Sequence, residues 1–263
     1  MDSDVMDAGV TRWIGFRHDG AAGFGRLDGE TIAVFEGDLF DAPTDTGRTL
    51  PLSEVTLDLP CRPSKLIALW NNFGALAEKL ELSRPEAPLF LIKPANTYRP
   101  SGATVAAPEA SGRALYEGEL AIVIGKTARD VSEAEAMDHV FGFTCINDVT
   151  SAAILKADAS FTQWARAKGL DGFGPFGPVI ATGLDPATLT VRTLVNGRER
   201  QNFPISDMLM PVARLVALIS QGMTLEPGDV IACGTSVGSG PIPKGATVEV
   251  VIDGIGTLTN RFE

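Results

Sequence analysis

Along the first sixty residues, apolar and polar positions alternate in short runs separated by glycine-containing turns. Trp13–Arg17, Ala22–Leu27 and Thr31–Phe35 each predict a strand, whereas Asp41–Arg48 lacks the alternation and reads as a loop. Leu50–Leu59 leads to Pro60 and Pro63, which places a boundary near 61. Residues 1–61 then form a small N-terminal β-rich domain and residues 62–263 a larger body. Residues 1–10 are mostly polar and are expected to fray.

The body opens on the apolar run Lys65–Leu69. Phe73–Leu82 carries Phe73, Leu76 and Leu80 at helical spacing and is ended by Pro85 and Pro88. Leu89–Ile92, Leu115–Gly125 and Phe143–Asn147 predict strands, the second of them with acidic residues near its start. Ser132 with Glu135 has capping-box spacing and predicts a short helix ending before Gly142. Ser160–Lys168 predicts another helix, closed by Gly169. Val191–Val195 followed by Asn196-Gly197 predicts a hairpin with a type I′ turn. In Pro211–Gln221 the stripe Val212, Leu215, Val216, Ile219 and the following Gly222 mark the clearest helix. Val230–Cys233 and Val248–Ile252 add strands. Many strands with few helices give an α+β fold.

Composition narrows the partners. The 263 residues carry 22 Lys and Arg against 33 Asp and Glu, a net charge of −11. Such a surface repels phosphate backbones and anionic headgroups, which argues against a nucleic-acid or membrane-surface role. No apolar run approaches the ~20 residues of a membrane span, and no signal peptide is expected. Cys61, Cys145 and Cys233 are widely spaced without a CxxC. They suit a reducing cytoplasm better than a disulfide framework or a zinc site.

Two motifs are decoys. Gly172 to Gly177 matches GxGxxG, but Pro175 and Pro178 interrupt it and the β-branched Val179-Ile180 follow, so no helix N-terminus meets a pyrophosphate. Gly234 to Gly238 matches the GxSxG elbow, but Gly240-Pro241 follow Ser236, and the two histidines, His18 and His139, both lie upstream.

The acidic residues carry more. Glu117 and Glu119 sit two apart in a strand and should project to one face, before the apolar run Leu120–Gly125. Asp148 ends another apolar strand. Desolvated carboxylates side by side repel unless a cation sits between them, and hard oxygen ligands favour Mg²⁺, Mn²⁺ or Ca²⁺. The alternative is three solvated acids at strand ends.

Tyr116 to Gly125, Asn147 to Thr150, Lys168 with Asp171-Gly172-Phe173 and Gly177-Pro178, Gly234-Thr235 and Gly254 to Leu258 occur in one order over roughly 62–263. Together they resemble the fumarylacetoacetate hydrolase family, in particular its 2-hydroxyhepta-2,4-diene-1,7-dioate and 5-carboxymethyl-2-hydroxymuconate isomerase branch. The resemblance implies a mixed β-sheet roll, a homodimer or higher homo-oligomer, and Mg²⁺ or Mn²⁺ held by Glu117, Glu119 and Asp148. It implies 2-oxo or 1,3-dicarbonyl acid substrates that are hydrolysed, decarboxylated or isomerised, in part in aromatic catabolism. Lys168 is then a catalytic cation beside the substrate oxygens, Gly234 and Thr235 seat the substrate, and Lys93 lines the pocket.

The sequence also departs from the family pattern. A lid-helix histidine common in the family falls on Gly74, which leaves Glu78 as the candidate base and weakens a hydrolytic assignment. After Asp148, Thr150 to Leu155 replace a Thr-x-Arg-Asp-x-Gln pattern, so this part of the pocket is more apolar. Oxaloacetate is a poor fit there and a larger or less charged oxo-acid a better one, unless Arg99 or Arg166 restores a charge. The resulting expectation is a metal-dependent lyase or isomerase working through a metal-bound enolate. The alternatives are a C–C hydrolase of an acylpyruvate, or a member that binds metal and oxo-acid without turnover.

Overall fold

The computed structural model describes residues 9–263, so most of the stretch expected to fray lies outside the described residues. The alternating N-terminal segment folds as consecutive antiparallel strands: β1 (Thr11–His18), β2 (Ala21–Asp28), β3 (Thr31–Asp38) and β4 (Asp41–Pro51). The β1–β2 turn places Asp19 and Gly20 at φ of 51° and 80°, the left-handed region that a tight hairpin turn demands. Asp41–Arg48 is therefore a strand and not a loop. It is the outermost strand of its sheet and mostly exposed, so no apolar periodicity was needed to place it. A short β5 (Thr56–Asp58) returns to pair with β1.

The body supplies β6 (Leu66–Trp70), α1 (Gly74–Lys79), β7 (Leu89–Lys93), β8 (Tyr98–Arg99), β9 (Thr104–Val105), β10 (Ala114–Tyr116) and β11 (Gly118–Ile124). It continues with β12 (Val140–Asn147), β13 (Thr150–Ser151), α2 (Ala152–Leu155), α3 (Trp164–Lys168), β14 (Gly174–Thr182), β15 (Thr190–Val195) and β16 (Arg198–Pro204). α4 (Val212–Ser220), β17 (Val230–Ala232), β18 (Gly240–Pro241), β19 (Thr247–Ile252) and β20 (Gly256–Phe262) complete it. The long mixed sheet runs β4-β3-β2-β1-β14-β12-β11-β17-β6-β7, so the N-terminal strands and the body share one sheet. A second sheet, β16-β15-β19-β20-β9, and a small one, β13-β10-β18, pack beside it. The result is the α+β, sheet-dominated architecture expected.

β11 is the centre of the molecule, with all seven residues buried. Leu120, Ile122 and Ile124 enter one core with Val191 and Phe203 of the second sheet, while Ala121 and Val123 enter another with Ile146 and Phe176. The β15–β16 hairpin turns through Asn196 and Gly197 at φ of 52° and 72°, as its Asn-Gly pair predicts. α4 buries Val212, Leu215, Val216 and Ile219.

Three expected elements of the body differ. Of Ser160–Lys168 only Trp164–Lys168 is helical. Leu115–Gly125 is broken at Glu117, whose N–H donates to Asn147 Oδ1 and whose carbonyl accepts from Asp148 N–H. β10 thereby leaves the long sheet and pairs with β13 and β18. Ser132 and Glu135 make their capping contacts, with Oγ donating to Oε2 at 2.6 Å, but only the 3₁₀ turn Ala136–His139 follows. The amides of Gly125 and Lys126 take the His139 carbonyl and the chain re-enters the sheet at Val140, which leaves no length for an α-helix.

Candidate metal centre

The break at Glu117 puts one carboxylate just before β11, and Glu119 stands two residues on. β12 pairs antiparallel with β11, Gly118 opposite Asn147, which brings Asp148 from the strand end to the same place. Oxygens of Glu117, Glu119 and Asp148 lie within 4.8 Å of one another; among the described residues this is the one such cluster of three ligands. Glu119 and Asp148 are fully buried, and the Glu117 side chain is 14% exposed.

Two lysines meet the acids. Lys168, at the end of α3, donates from Nζ to Glu117 Oε2 and Asp148 Oδ2, both at 2.6 Å. Lys93, at the end of β7, is fully buried and donates to Asp148 Oδ1 at 2.6 Å. Thr150 Oγ1 donates to Glu117 Oε1 at 2.8 Å and the Gly234 N–H to Glu119 Oε2 at 2.8 Å. Glu119 Oε1 alone among these carboxylate oxygens is buried with no hydrogen-bond partner.

The protonation equilibria follow from this wiring. Burial, with the Asp148 charge added, pushes the Glu119 carboxyl well above its usual range. Burial also raises Glu117 against the pull of Lys168. Burial would raise Asp148 too, but the Lys168 and Lys93 ammoniums outweigh it and hold its carboxyl low. Lys168, despite burial, is held above its ordinary value by Asp148, Glu117 and Glu119. Burial depresses Lys93, and Asp148 offsets this only in part.

With every group ionised, three carboxylates and two ammoniums leave one negative charge in a buried site. The orphaned carboxylate oxygen and the clustered hard oxygen donors fit a divalent cation of the Mg²⁺ or Mn²⁺ kind. Glu117, Glu119 and Asp148 are the residues that could hold it.

The other expected residues divide. Gly234 and Thr235 adjoin the acids: Thr235 Oγ1 donates to the Gly118 carbonyl at 2.9 Å. Glu78 is exposed on α1, whereas Glu119 and Asp148 are fully buried. At Gly74 a Cβ would stand 2.8 Å from Asp207 Oδ1, and Asp207 Oδ2 accepts the Ala75 N–H, so this carboxylate fills the space and satisfies the start of α1. Arg99 Nη1 is spent on the carbonyls of Asn96 and Tyr98, and Arg166 is exposed. His139 Nδ1 lies 3.4 Å from the Lys126 carbonyl, far along the sheet from the acids. The Ser236 segment leads into a turn and β18, not into a helix.

Sequence reasoning missed Asn147 and Gln201 as supporting residues. Asn147 could have been noticed beside Asp148. The signal for Gln201 is faint: a polar residue at an inward position of β16, two before Phe203.

Comparison with known proteins identifies the lineage. The family model described as fumarylacetoacetate (FAA) hydrolase C-terminal matches residues 65–263. The chain belongs to the fumarylacetoacetate hydrolase family. A second model, Rv2993c-like N-terminal, matches residues 11–60. The structure of 2-hydroxyhepta-2,4-diene-1,7-dioate isomerase from Mycobacterium marinum is 38% identical with a TM-score of 0.88, over 96% of this chain and 98% of that one. The 4-hydroxyphenylacetate degradation bifunctional isomerase/decarboxylase of Escherichia coli is 40% identical over 207 residues, 78% of this chain and 48% of that protein. The oxaloacetate tautomerase YisK of Bacillus subtilis is 39% identical over 226 residues, 80% of this chain and 74% of that protein. Members of this family thus act as isomerases, tautomerases and decarboxylases on small molecules, generally with a divalent metal. Among the described residues no helix is long and apolar enough to cross a membrane.

Proposed function

We propose that this chain is a divalent-metal-dependent enzyme that isomerises or decarboxylates a 2-oxo acid or β-dicarbonyl compound through an enolate. The observation that carries this is the buried cluster of Glu117, Glu119 and Asp148, in which Glu119 Oε1 is left without a partner. These carboxylates would hold Mg²⁺ or Mn²⁺, which when bound acts as a Lewis acid and favours negative charge on adjacent substrate oxygens. Lys168 fixes Glu117 and Asp148 in place and adds a cation beside the same oxygens. Lys93 holds Asp148 ionised from the opposite side. The Gly234 N–H orients Glu119, and the Gly234-Thr235 turn seats the substrate.

A cation would leave the site with one positive charge, which suits an anionic substrate. Support for enolate chemistry over water attack comes from Gly74, which offers no side-chain base and beside which Asp207 stands; the relatives include isomerases, a decarboxylase and a tautomerase but also hydrolases. Glu78 enters as a base only if α1 closes over the site; Glu78→Gln should then abolish turnover, and unchanged turnover removes it from the mechanism.

The protein is further read as a cytoplasmic homo-oligomer, divided near residue 61 into an N-terminal β-rich domain and the catalytic domain. Three free buried cysteines support the compartment. The outermost strand β7, with Leu89, Phe90 and Ile92 all more than 40% exposed, supports association.

The test is a panel of oxaloacetate, an acylpyruvate and a hydroxymuconate-type dienoate, each with Mg²⁺ or Mn²⁺ and with chelator. Product formation that stops with chelator and returns with metal is expected, larger substrates being favoured over oxaloacetate. Turnover indifferent to chelator overturns the metal-dependent reading. Thermal stabilisation by oxo-acid without product makes the protein a binder instead.

A further inference from the structure

Gln201 is 1% exposed and lies on β16, in a different sheet from the acids. Its Oε1 accepts the Gly118 N–H at 3.0 Å, and its Nε2 donates to Thr235 Oγ1 at 2.9 Å and to the Ser236 carbonyl at 3.3 Å. The neighbours settle which end of the amide is which: the Gly118 N–H can meet only an acceptor and the Ser236 carbonyl only a donor. Thr235 Oγ1 in turn donates to the Gly118 carbonyl at 2.9 Å. One carboxamide therefore grips the residue between Glu117 and Glu119 and the loop whose Gly234 N–H holds Glu119 Oε2.

The wiring also restricts Thr235. A hydroxyl has one hydrogen and two lone pairs. The hydrogen is on the Gly118 carbonyl and one lone pair faces Gln201, so Thr235 Oγ1 can accept one further hydrogen bond and donate none.

We propose that Gln201 is a positioning residue: its carboxamide, reaching across from the second sheet, holds the Glu117–Glu119 segment in register for a cation and presents Thr235 to the substrate as an acceptor. This rests on the metal-dependent reading above. It extends the set of residues that shape the site to a sheet that contributes none of the acids.

The experiment is Mn²⁺ titration by electron paramagnetic resonance, with thermal melting in parallel, on wild type, Gln201→Met, Gln201→Glu and Phe203→Leu. Gln201→Met removes both polar ends at similar length. It should weaken Mn²⁺ binding about tenfold, at the low end of the ~10–100-fold typical of outer-shell partners. Gln201→Glu keeps an acceptor for Gly118 but loses the donor to Thr235 and Ser236, so it should restore only part of that affinity. Phe203, on the same strand and packed edge-on to Phe73 at 5.0 Å, reports a purely structural effect. Phe203→Leu should lower the melting temperature and leave Mn²⁺ affinity unchanged. Wild-type affinity in Gln201→Met, or equal loss in Phe203→Leu, overturns the proposal. If Gln201→Met does not fold, Thr235→Val removes the Nε2 acceptor instead: weaker binding supports the proposal and unchanged binding overturns it. A wild type that binds no Mn²⁺ sinks the metal-dependent reading itself, and this one with it.

Discussion

Replacing Lys93 by Met gives the sharpest test of the electrostatics. The Lys93 side chain is completely buried and its Nζ stands 2.6 Å from Asp148 Oδ1. Two unit charges at that separation attract by about 6 kcal/mol at an effective dielectric near 20. Desolvation opposes this, and removing one partner of a buried pair typically costs about 3–5 kcal/mol because the other charge is stranded. Asp148 keeps Lys168 on Oδ2 at 2.6 Å, so the lower end, about 3 kcal/mol, applies. At about 2–4 °C per kcal/mol for a chain of this size, the melting temperature in chelator should fall by roughly 6–12 °C. The substitution also takes the formal charge of the cluster from −1 to −2. Saturating Mn²⁺ should therefore raise the melting temperature of the variant by more than that of wild type. Circular dichroism melts of both proteins, with chelator and with Mn²⁺, measure the two effects together. A Lys93→Met protein that melts within about 2 °C of wild type in chelator would refute the claim that a stranded Asp148 charge is what the ammonium prevents.

Glu119→Gln keeps an acceptor for the Gly234 N–H but removes one carboxylate of the three. Mn²⁺ affinity by paramagnetic resonance should fall by more than the ~10–100-fold of an outer-shell change, with the fold intact, and retained affinity removes Glu119 from the site. Gly118→Ala would put a Cβ 2.0 Å from Thr193 Oγ1; overpacking of this kind costs about 1–3 kcal/mol. Thr193→Ala in the same chain should recover most of it in a urea melt, and no recovery means that Thr193 is not the obstacle. Burial pushes the Cys61 thiol up to about 12 and raises Cys145 as well. At pH 8 both are then protonated as well as inaccessible, so a disulfide reagent should titrate no thiol in the native protein and all three in denaturant. Rapid native reaction at Cys61 or Cys145 contradicts the burial.

What was legible in the sequence is what short-range pattern encodes. The hairpins of the first forty residues, the Asn196-Gly197 turn and the stripe of α4 follow from alternation, turn chemistry and helical period, because in each case neighbours in sequence are neighbours in space. Asp41–Pro51 was not legible as a strand, since an outermost strand draws its order from pairing with β3 and needs no apolar face. The Ser132–Glu135 box misled for a related reason: the local contacts form, but the amides of Gly125 and Lys126 claim the His139 carbonyl and tertiary pairing stops the helix. At the site, the i, i+2 spacing of Glu117 and Glu119 foretold a shared face, while the arrival of Asp148 depended on the register of β12 against β11. Lys93 was visible as a residue but not as a partner, since its bond to Asp148 spans 55 positions. Gln201 lies 83 residues from Gly118, and nothing local to either marks the contact.

The same geometry explains why a glycine stands between the two glutamates. In a strand, alternate residues face opposite ways, so the face of β11 that carries Glu119 is not the face that carries residue 118. The second sheet packs against that other face closely enough for Thr193 and Gln201 to meet the backbone itself, which leaves no room for a Cβ. Any larger residue at 118 would force the sheets apart and break the Gln201 contact, even with every acid kept. A bare Glu-x-Glu pattern is therefore weak as a signature, whereas Glu-Gly-Glu before a wholly apolar strand specifies both a carboxylate face and the close approach that holds it still.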